Sequence, residues 1–192
     1  MEKLLSEIRD CTVCSEHLPL GPRPIVAGTS KSKIVLVSQA PGRKAHSHNK
    51  AWDDPSGRKL REWLGVTDEE FYNPNNFAIL PIGFCYPGKG KTGDLPPRKE
   101  CAPLWHELFW NNLEDVKLTL VIGKYAQDRY LKNFSKGNLT ENVANYQEFL
   151  PKFFPLPHPS PVNRFWMTKN PWFESDVLPE LKERVRDILE VG

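Results

Sequence analysis

The sequence predicts an α/β protein, specifically a three-layer αβα sandwich around a central, mostly parallel sheet of four strands. Four short apolar segments, rich in β-branched or aromatic residues, indicate the strands. They are residues 34–37, 77–82, 118–122 and 153–156. Segments with helical spacing lie between them. This alternation of strands and helices is typical of a parallel sheet that carries helices on both faces.

Apolar residues at helical spacing predict the helices. The segments are 1–8, 56–64, 100–111, 123–131 and 139–149. Pro171 stands near the first turn of a further, C-terminal helix, a position that proline favours. The sequence contains no internal repeat and no break in composition. We therefore expect one domain over residues 1–192.

Composition and charge narrow the class of protein. The chain has 192 residues, of which 39% are hydrophobic, enough for one full core. It has no apolar run of membrane-spanning length, and its N-terminus lacks the apolar core of a signal peptide. We expect an intracellular, cytoplasmic and nucleoid-associated monomer without a membrane partner. The 26 basic residues nearly balance the 24 acidic ones, so the net charge does not indicate nucleic acid.

Local concentration of charge is more informative than the total. Basic residues crowd the segments that follow the first strand and Pro87, and a basic rim beside a cleft binds phosphate. Charged loops are, however, more often simply solvated. The residues are Arg43, Lys44, Lys50, Arg58, Lys59, Arg61, Lys89 and Lys91.

Two proline-rich loops directly follow predicted strands. Residues 38–42 read Ser-Gln-Ala-Pro-Gly, and residues 157–161 read Pro-His-Pro-Ser-Pro. In an open α/β sheet, the loops that leave the carboxyl ends of the strands converge on one crevice. The first loop carries the amide of Gln39 and the second carries the imidazole of His158. The sequence therefore predicts an active site assembled from these two distant segments.

The four cysteines form a pattern. Cys11 and Cys14 make a Cys-x-x-Cys pair, and Cys85 and Cys101 follow the second strand. An intracellular chain disfavours disulfides, and a redox pair would follow a strand and open a helix, which Cys11 does not. The pattern favours one four-thiolate site for zinc or an iron–sulphur cluster. The alternative is that these are ordinary buried cysteines.

These motifs together resemble those of the uracil-DNA glycosylase superfamily. That superfamily has a first motif such as Gly-x-x-Pro-Gly after strand one and a second motif His-Pro-Ser-Pro, matched here by residues 38–42 and 158–161. Its iron–sulphur branch has an aromatic residue and a glycine ten and fifteen residues after the motif glycine, as Trp52 and Gly57 follow Gly42. The resemblance implies a structural [4Fe–4S] cluster, with zinc as the alternative. The implied ligands are Cys11, Cys14, Cys85 and Cys101.

The chain also departs from the pattern of the superfamily. The iron–sulphur branch has Glu at the place of Gln39 and an acidic pair at the places of Ala45 and His46. Ala40 stands where the most active branch has its catalytic Asp. Pro81 stands where relatives have the Asn that reads the edge of uracil. The resemblance therefore predicts the fold, but these departures leave open which base the protein excises.

The resemblance implies a function and a partner. It implies a monofunctional DNA glycosylase of base excision repair that binds single- or double-stranded damaged DNA. Such an enzyme flips out the base and hydrolyses the N-glycosidic bond of uracil or a related deaminated base. The alternative is a non-catalytic member of the same fold that binds a nucleic acid or nucleotide. A thiol redox protein is a third reading, which leaves Cys85 and Cys101 unexplained.

The resemblance also suggests a role for each site residue. His158 is expected to donate to the departing base, with Gln39 facing base and sugar. Asp53, Asp54 and His46 are candidates for placing the attacking water, although Asp54 could instead cap a helix. Trp52 is expected to stack on the flipped base, with core packing as the alternative. The base-binding set is Trp52, Gln39, Ala40, Gly42 and Pro81, and the DNA-binding set is Lys44, Arg58, Ser160, Val162, Asn163 and Arg164.

Overall fold

The structure, a computed structural model, describes residues 1–135 and 137–190. Within this part of the chain, the strands form one sheet in the order β2-β1-β3-β4, and every neighbouring pair is parallel. Helices cover both faces, so the predicted αβα architecture is confirmed. The strands are β1 Ile34–Val37, β2 Phe77–Ile79, β3 Leu118–Ile122 and β4 Phe153–Leu156.

The helices include every predicted one and three short ones that the sequence pattern did not indicate. The short ones are α2, α4 and α8, each of which has only five or six residues. None of the helices in the described residues is long and apolar enough to span a bilayer. Their bounds are α1 Glu2–Arg9, α2 Arg43–His48, α3 Pro55–Leu64, α4 Asp68–Tyr72, α5 Glu107–Asn111, α6 Lys124–Tyr130, α7 Leu139–Ala144, α8 Arg164–Lys169 and α9 Leu178–Glu190.

Wider or tighter turns flank several of these helices. Single π-helical segments precede α5 and α9, and short 3₁₀ segments lie elsewhere in the chain. The π-helical segments are Ala102–His106 and Phe173–Val177, and the 3₁₀ segments are Ser15–His17, Tyr146–Phe149 and Pro161–Asn163.

Alternating side chains of β1 serve two hydrophobic cores. Ile34 and Leu36 pack in the cluster that contains the apolar faces of α3 and α9. Val35 and Val37 point the other way, into the cluster that contains α1, α5 and α6. All four side chains are fully buried, as the two-residue period of a strand covered on both faces requires. The sheet is therefore a rigid platform whose ends can carry functional loops.

Strand β2 ends at Ile79, three residues earlier than the sequence pattern predicts. Pro81 has no N–H and cannot continue a hydrogen-bonded ladder. The chain nevertheless keeps its course beside the loop that follows β1. The N–H of Ile82 donates to Ser38 O at 2.7 Å, and the N–H of Gly83 donates to Gln39 O at 2.9 Å. Residues 80–83 thus form a fixed wall next to the first predicted motif.

The segment before β1 covers the outer edge of β2. Ala27 and Ile79 exchange backbone hydrogen bonds of 3.2 and 2.8 Å, and the N–H of Ile25 donates to Phe84 O at 2.8 Å. This antiparallel path protects the edge strand. It also brings the N-terminal segment, with Cys11 and Cys14, toward Cys85.

Candidate active site

A cavity of about 550 Å³ opens at the carboxyl ends of the strands. The loops that follow β1 and β4 both line it, as the rule for open α/β sheets predicts. Its size is that of an ordinary small-molecule pocket. Residues that the sequence singled out and that line the cavity are Gln39, Ala40, Gly42, Trp52, Asp54, Pro81, His158, Ser160, Val162 and Asn163.

His158 is held in the cavity wall through its backbone and through a close glycine. Its carbonyl accepts a hydrogen bond from Asn163 Nδ2 at 2.7 Å. Gly123, just after β3, has a φ of +79°, and a Cβ on it would lie 3.4 Å from the Cβ of His158. Glycine is therefore favoured there by both its conformation and the close approach.

The imidazole of His158 is in a state suited to donate a hydrogen bond to a substrate. Burial lowers its pKa, although the negative charge of Asp54 opposes the shift. The ring is therefore neutral at neutral pH. Within the described residues neither ring nitrogen makes a hydrogen bond. Both nitrogens are left for a ligand in the cavity.

Trp52 lies against His158. The two rings stack with their centroids 5.7 Å apart and their planes inclined by 29°. Trp52 is only 9% exposed and belongs to the core cluster around α3, yet it also lines the cavity. Core packing and a place in the site are thus both observed for this side chain. Its stack on the imidazole restricts the orientation of His158.

The backbone of Trp52 is fixed by α3. Its φ of +58° is unusual for a large side chain. The carbonyl of Trp52 accepts a hydrogen bond from Arg61 Nη1 at 3.3 Å, and Arg61 Nε also pairs with Asp68 at 2.6 Å. A Cβ on Gly57 would lie 1.7 Å from that carbonyl oxygen. Gly57 is therefore required for Trp52 to occupy this position.

Asp54 caps α3. Its Oδ1 accepts a hydrogen bond from the N–H of Gly57 at 2.8 Å, and Pro55 occupies the first helical position. This arrangement is a standard N-cap. The same side chain lines the cavity. The helix cap therefore uses Oδ1 of Asp54. That its other oxygen, Oδ2, places the attacking water stays a prediction.

Pro81 has no donor to offer a ligand of the cavity. It lacks an N–H, and its carbonyl accepts a hydrogen bond from Nε2 of His106 at 3.1 Å. Nδ1 of His106 in turn accepts from Tyr130 Oη at 2.7 Å, and Trp110 Nε1 donates to the same Oη at 2.8 Å. Burial lowers the pKa of His106 to about 4. The wall at Pro81 is thus tied to a buried, neutral histidine.

Gln39 brings a side-chain amide to the cavity. It is half-buried and lines the cavity. Its carbonyl is occupied by Gly83, but its side-chain amide makes no hydrogen bond to any described residue. An unpaired amide has two donors and an acceptor available for a ligand.

Several predicted site residues lie outside the cavity lining. His46 is buried in α2, where its carbonyl accepts from Arg23 Nη1 at 2.6 Å. Burial lowers the pKa of His46, and Arg23 adds to the effect. Lys44, Arg58 and Arg164 are exposed, and each lies within two residues of the lining.

The cavity also has lining residues that the sequence interpretation missed. Lys124 and Tyr125 follow β3, so the rule that was applied to β1 and β4 would have found them. Thr92, Gly93 and Asp94 come from the loop between Cys85 and Cys101. The glycines at 88, 90 and 93 were the available signal for a loop that approaches other backbone closely. Ser56 and Leu139 also face the cavity, as do Ile25, Ala51, Ile79 and Gly123.

The four cysteines line a second, separate pocket. All are free thiols, and apolar residues such as Phe84 surround them. Backbone N–H groups of Arg23 and Phe84 donate to the sulphurs of Cys85 and Cys101 at 3.3 and 3.4 Å. Burial raises the pKa of Cys85 to about 11 and that of Cys101 to about 12. In residues 1–135 and 137–190, no three metal-ligating side chains are grouped around one ion position.

The chain is an α/β protein with a candidate ligand site at the carboxyl ends of its parallel strands. This site holds a neutral imidazole, a stacked indole and an amide without a partner among the described residues, in the crevice where α/β proteins commonly bind ligands. The family model of the uracil DNA glycosylase superfamily matches residues 26–182, and the chain belongs to that superfamily. Cys85 and Cys101 fall within the matched range, and Cys11 and Cys14 precede it.

A comparison with solved structures also found a similar chain. The chain is similar to the solution NMR structure of a "putative Uracil DNA glycosylase" from Methanosarcina acetivorans. The TM-score is 0.49 and the sequence identity 11%, and the match covers 85% of this chain and 94% of that chain.

Proposed function

We propose that this protein is a monofunctional DNA glycosylase that excises uracil or a related deaminated base. The observation that carries the proposal is the convergence of His158, Gln39 and Trp52 on one cavity in a chain of the uracil DNA glycosylase superfamily. The N-glycosidic bond is out of reach inside a duplex, so the target nucleotide must leave the stack. A cavity of about 550 Å³ accommodates one flipped base and its sugar.

His158 supplies the main catalytic contact. When the bond breaks, its electron pair moves to the base, and the sugar develops oxocarbenium character. A donor fixed where the negative charge appears lowers the barrier. The neutral ring of His158 has a donor to give, and its stack on Trp52 keeps the ring in one orientation. The geometry thus supports stabilisation of the departing base.

Base choice follows from Gln39 and Pro81. Relatives read uracil with an Asn amide at the position of Pro81. Here that position has no side-chain amide and no N–H, and its carbonyl already accepts from His106. The unpaired amide of Gln39 is the alternative reader. Loss of polar readout relaxes selectivity. We therefore propose broadened activity on deaminated bases, with uracil as the leading substrate and Pro81→Asn as the variant that gains uracil excision.

The surface around the cavity supports DNA as the partner. Lys44, Arg58 and Arg164 are exposed beside the lining residues, where they would contact phosphates. Val162 and Phe165 are 78% and 79% exposed just past the second motif. Exposed apolar side chains at such a tip act as wedges that hold a base step open.

We propose that the cysteine pocket holds a [4Fe–4S] cluster, with zinc as the alternative, because its four cysteines share the register of the iron–sulphur branch. Four free thiols line one apolar pocket, and backbone N–H groups donate to two of the sulphurs. A cluster spreads its four thiolates over four irons. Its role would be to tie the N-terminal segment to residues 85–101.

The test is an excision assay with a panel of oligonucleotides. Single- and double-stranded oligonucleotides bearing one uracil, hypoxanthine or xanthine are incubated with wild-type protein and with Pro81→Asn, and alkali-labile sites are quantified. We expect cleavage after alkali at the modified base, strongest for uracil. Tight binding without any alkali-labile site would contradict the proposed enzyme activity and favour the non-catalytic alternative. Ala40, at the place of the catalytic Asp, is the observation that supports this alternative.

A further inference from the structure

A small gap beside Gly42 is bordered by two carboxylate oxygens. The point where a Gly42 side chain would begin lies 3.7 Å from Oδ2 of Asp54 and 3.7 Å from Oδ2 of Asp94. Both aspartates line the same cavity as His158. Gly42 has an ordinary backbone conformation, with φ −77° and ψ 172°. Its lack of a side chain therefore matters for the space that it leaves, not for its backbone.

Asp94 reaches this gap from a loop outside the two motifs. The loop is closed by hydrogen bonds from Leu95 N to Gly88 O at 2.8 Å and from Gly90 N to Gly93 O at 2.6 Å. Oδ1 of Asp94 accepts a hydrogen bond from Tyr86 Oη at 3.5 Å. The second oxygen is thereby left toward Gly42.

Asp54 has the matching arrangement. Its Oδ1 is occupied by the N–H of Gly57 at 2.8 Å, so its Oδ2 is the oxygen that borders the gap. Each carboxylate thus uses one oxygen for a structural contact and presents the other. A water molecule between them can donate both of its hydrogens and leave its lone pairs directed elsewhere.

We propose that Asp94 and Asp54 together hold the water that attacks the sugar C1′, so that Asp94 supplies the carboxylate that the first motif lacks at Ala40. The inference rests on the proposed function. In the step, the water oxygen bonds to C1′ while the C1′–N bond breaks and its electron pair leaves with the base. One water proton passes to Asp94 and then to solvent, and the base takes up a proton from solvent.

The surroundings of Asp94 suit it to accept that proton. Burial raises its pKa, and the negative charge of Asp54 adds to the shift. The hydrogen bond from Tyr86 and the charge of Lys89 oppose it. A carboxylate with a raised pKa is a stronger base near neutral pH. Because the base form is the active one, the rate should fall as the pH falls through that pKa.

The test uses single-turnover excision of uracil with saturating protein, from neutral pH down to the lowest pH at which the protein stays folded. Four variants are compared with the wild type: Asp94→Asn, Asp54→Asn, Gly42→Ala and the control Asp187→Asn. Asn caps helices as well as Asp does, so Asp54→Asn keeps α3. The methyl group of Gly42→Ala meets only ordinary contacts but fills the gap. Asp187 is exposed on α9, away from the cavity lining.

We expect Asp94→Asn to slow the chemical step on the order of a hundredfold and to lose the acid limb of the pH profile. Gly42→Ala and Asp54→Asn should also slow it, with DNA binding unchanged, and Asp187→Asn should match the wild type. An active wild type with an unaltered Asp94→Asn rate and profile overturns this inference alone. A folded wild type that excises no base from the panel overturns the proposed function and this inference together.

Discussion

The indole of Trp52 stacks on the imidazole of His158 at a centroid distance of 5.7 Å, which joins a helix start to the loop after the last strand. Trp52 comes just before α3 and His158 just after β4. The left-handed backbone of Trp52 is held by Arg61 and by the missing side chain of Gly57. The orientation of the proposed catalytic ring therefore depends on α3, which is distant from it in sequence.

Replacing Trp52 should slow excision without abolishing it. Trp52→Leu removes the aromatic face and Trp52→Phe keeps one. Because aromatic pairs contribute about 0.5–1.5 kcal/mol beyond burial, we expect Trp52→Leu to lower the single-turnover rate up to about tenfold. Trp52→Phe should lie nearer the wild type. Circular dichroism shows whether each variant is folded, and a folded Trp52→Leu at the wild-type rate would refute the positioning role.

Lys44 and Arg58 should affect binding and not chemistry. Both are exposed beside the cavity, and each phosphate contact that is lost weakens binding evenly across sequences. Replacing either with Ala should reduce the slope of log Kd against log salt by about one charge. Fluorescence anisotropy at several salt concentrations measures this slope. A change in the preferred base, with the salt slope unchanged, would instead place the residue at the base.

The buried His106 should make the protein less stable in acid. Its folded pKa of about 4 lies below the ordinary 6.5, so the unfolded chain binds the proton first as the pH falls. The free energy of unfolding is therefore highest, as far as His106 is concerned, above pH 6.5. It decreases as the pH falls toward 4. Between about pH 7 and 5 the loss from His106 is on the order of 2 kcal/mol. Urea unfolding of wild type and His106→Gln at both pH values measures it.

His106→Gln serves as the reference because the wild type and this variant share every other titrating group. His106→Gln should be less stable at pH 7, since the Pro81 carbonyl and Tyr130 lose a partner. Its stability should also change less between the two pH values. Equal pH dependence in the two proteins would show that His106 is accessible to protons in the folded state.

The cysteine pocket should hold iron. Protein purified without oxygen should be brown, with broad absorption at about 400 nm. The Cys85→Ser variant should have a lower iron content and a lower melting temperature. Zinc in a one-to-one ratio without iron would reject the cluster but keep the four-thiolate site. Unchanged metal content and folding in Cys85→Ser would reject the four-ligand site itself.

Much of the scaffold was predictable from local sequence, because strands such as 34–37 and 153–156 are compact apolar runs with clear limits. The end of β2 was not, because the apolar run continues past Ile79 and hydrogen bonds to the loop after β1 continue beyond Pro81. Gln39 and His158 were found because loops at the carboxyl ends of strands converge. Asp94 was missed because its approach to Gly42 depends on how a loop folds over the cavity. The number of domains remains a prediction.

The most direct test of the account is the release of free base by wild-type protein and by His158→Ala. An oligonucleotide with a single uracil is incubated with each protein, and free uracil and the abasic strand are quantified by mass spectrometry. The account predicts equal amounts of both products from the wild type. In His158→Ala, release should be slower on the order of a hundredfold, with an unchanged Kd for DNA. Release at the wild-type rate by His158→Ala, or no release of any deaminated base by the folded wild type, would contradict it.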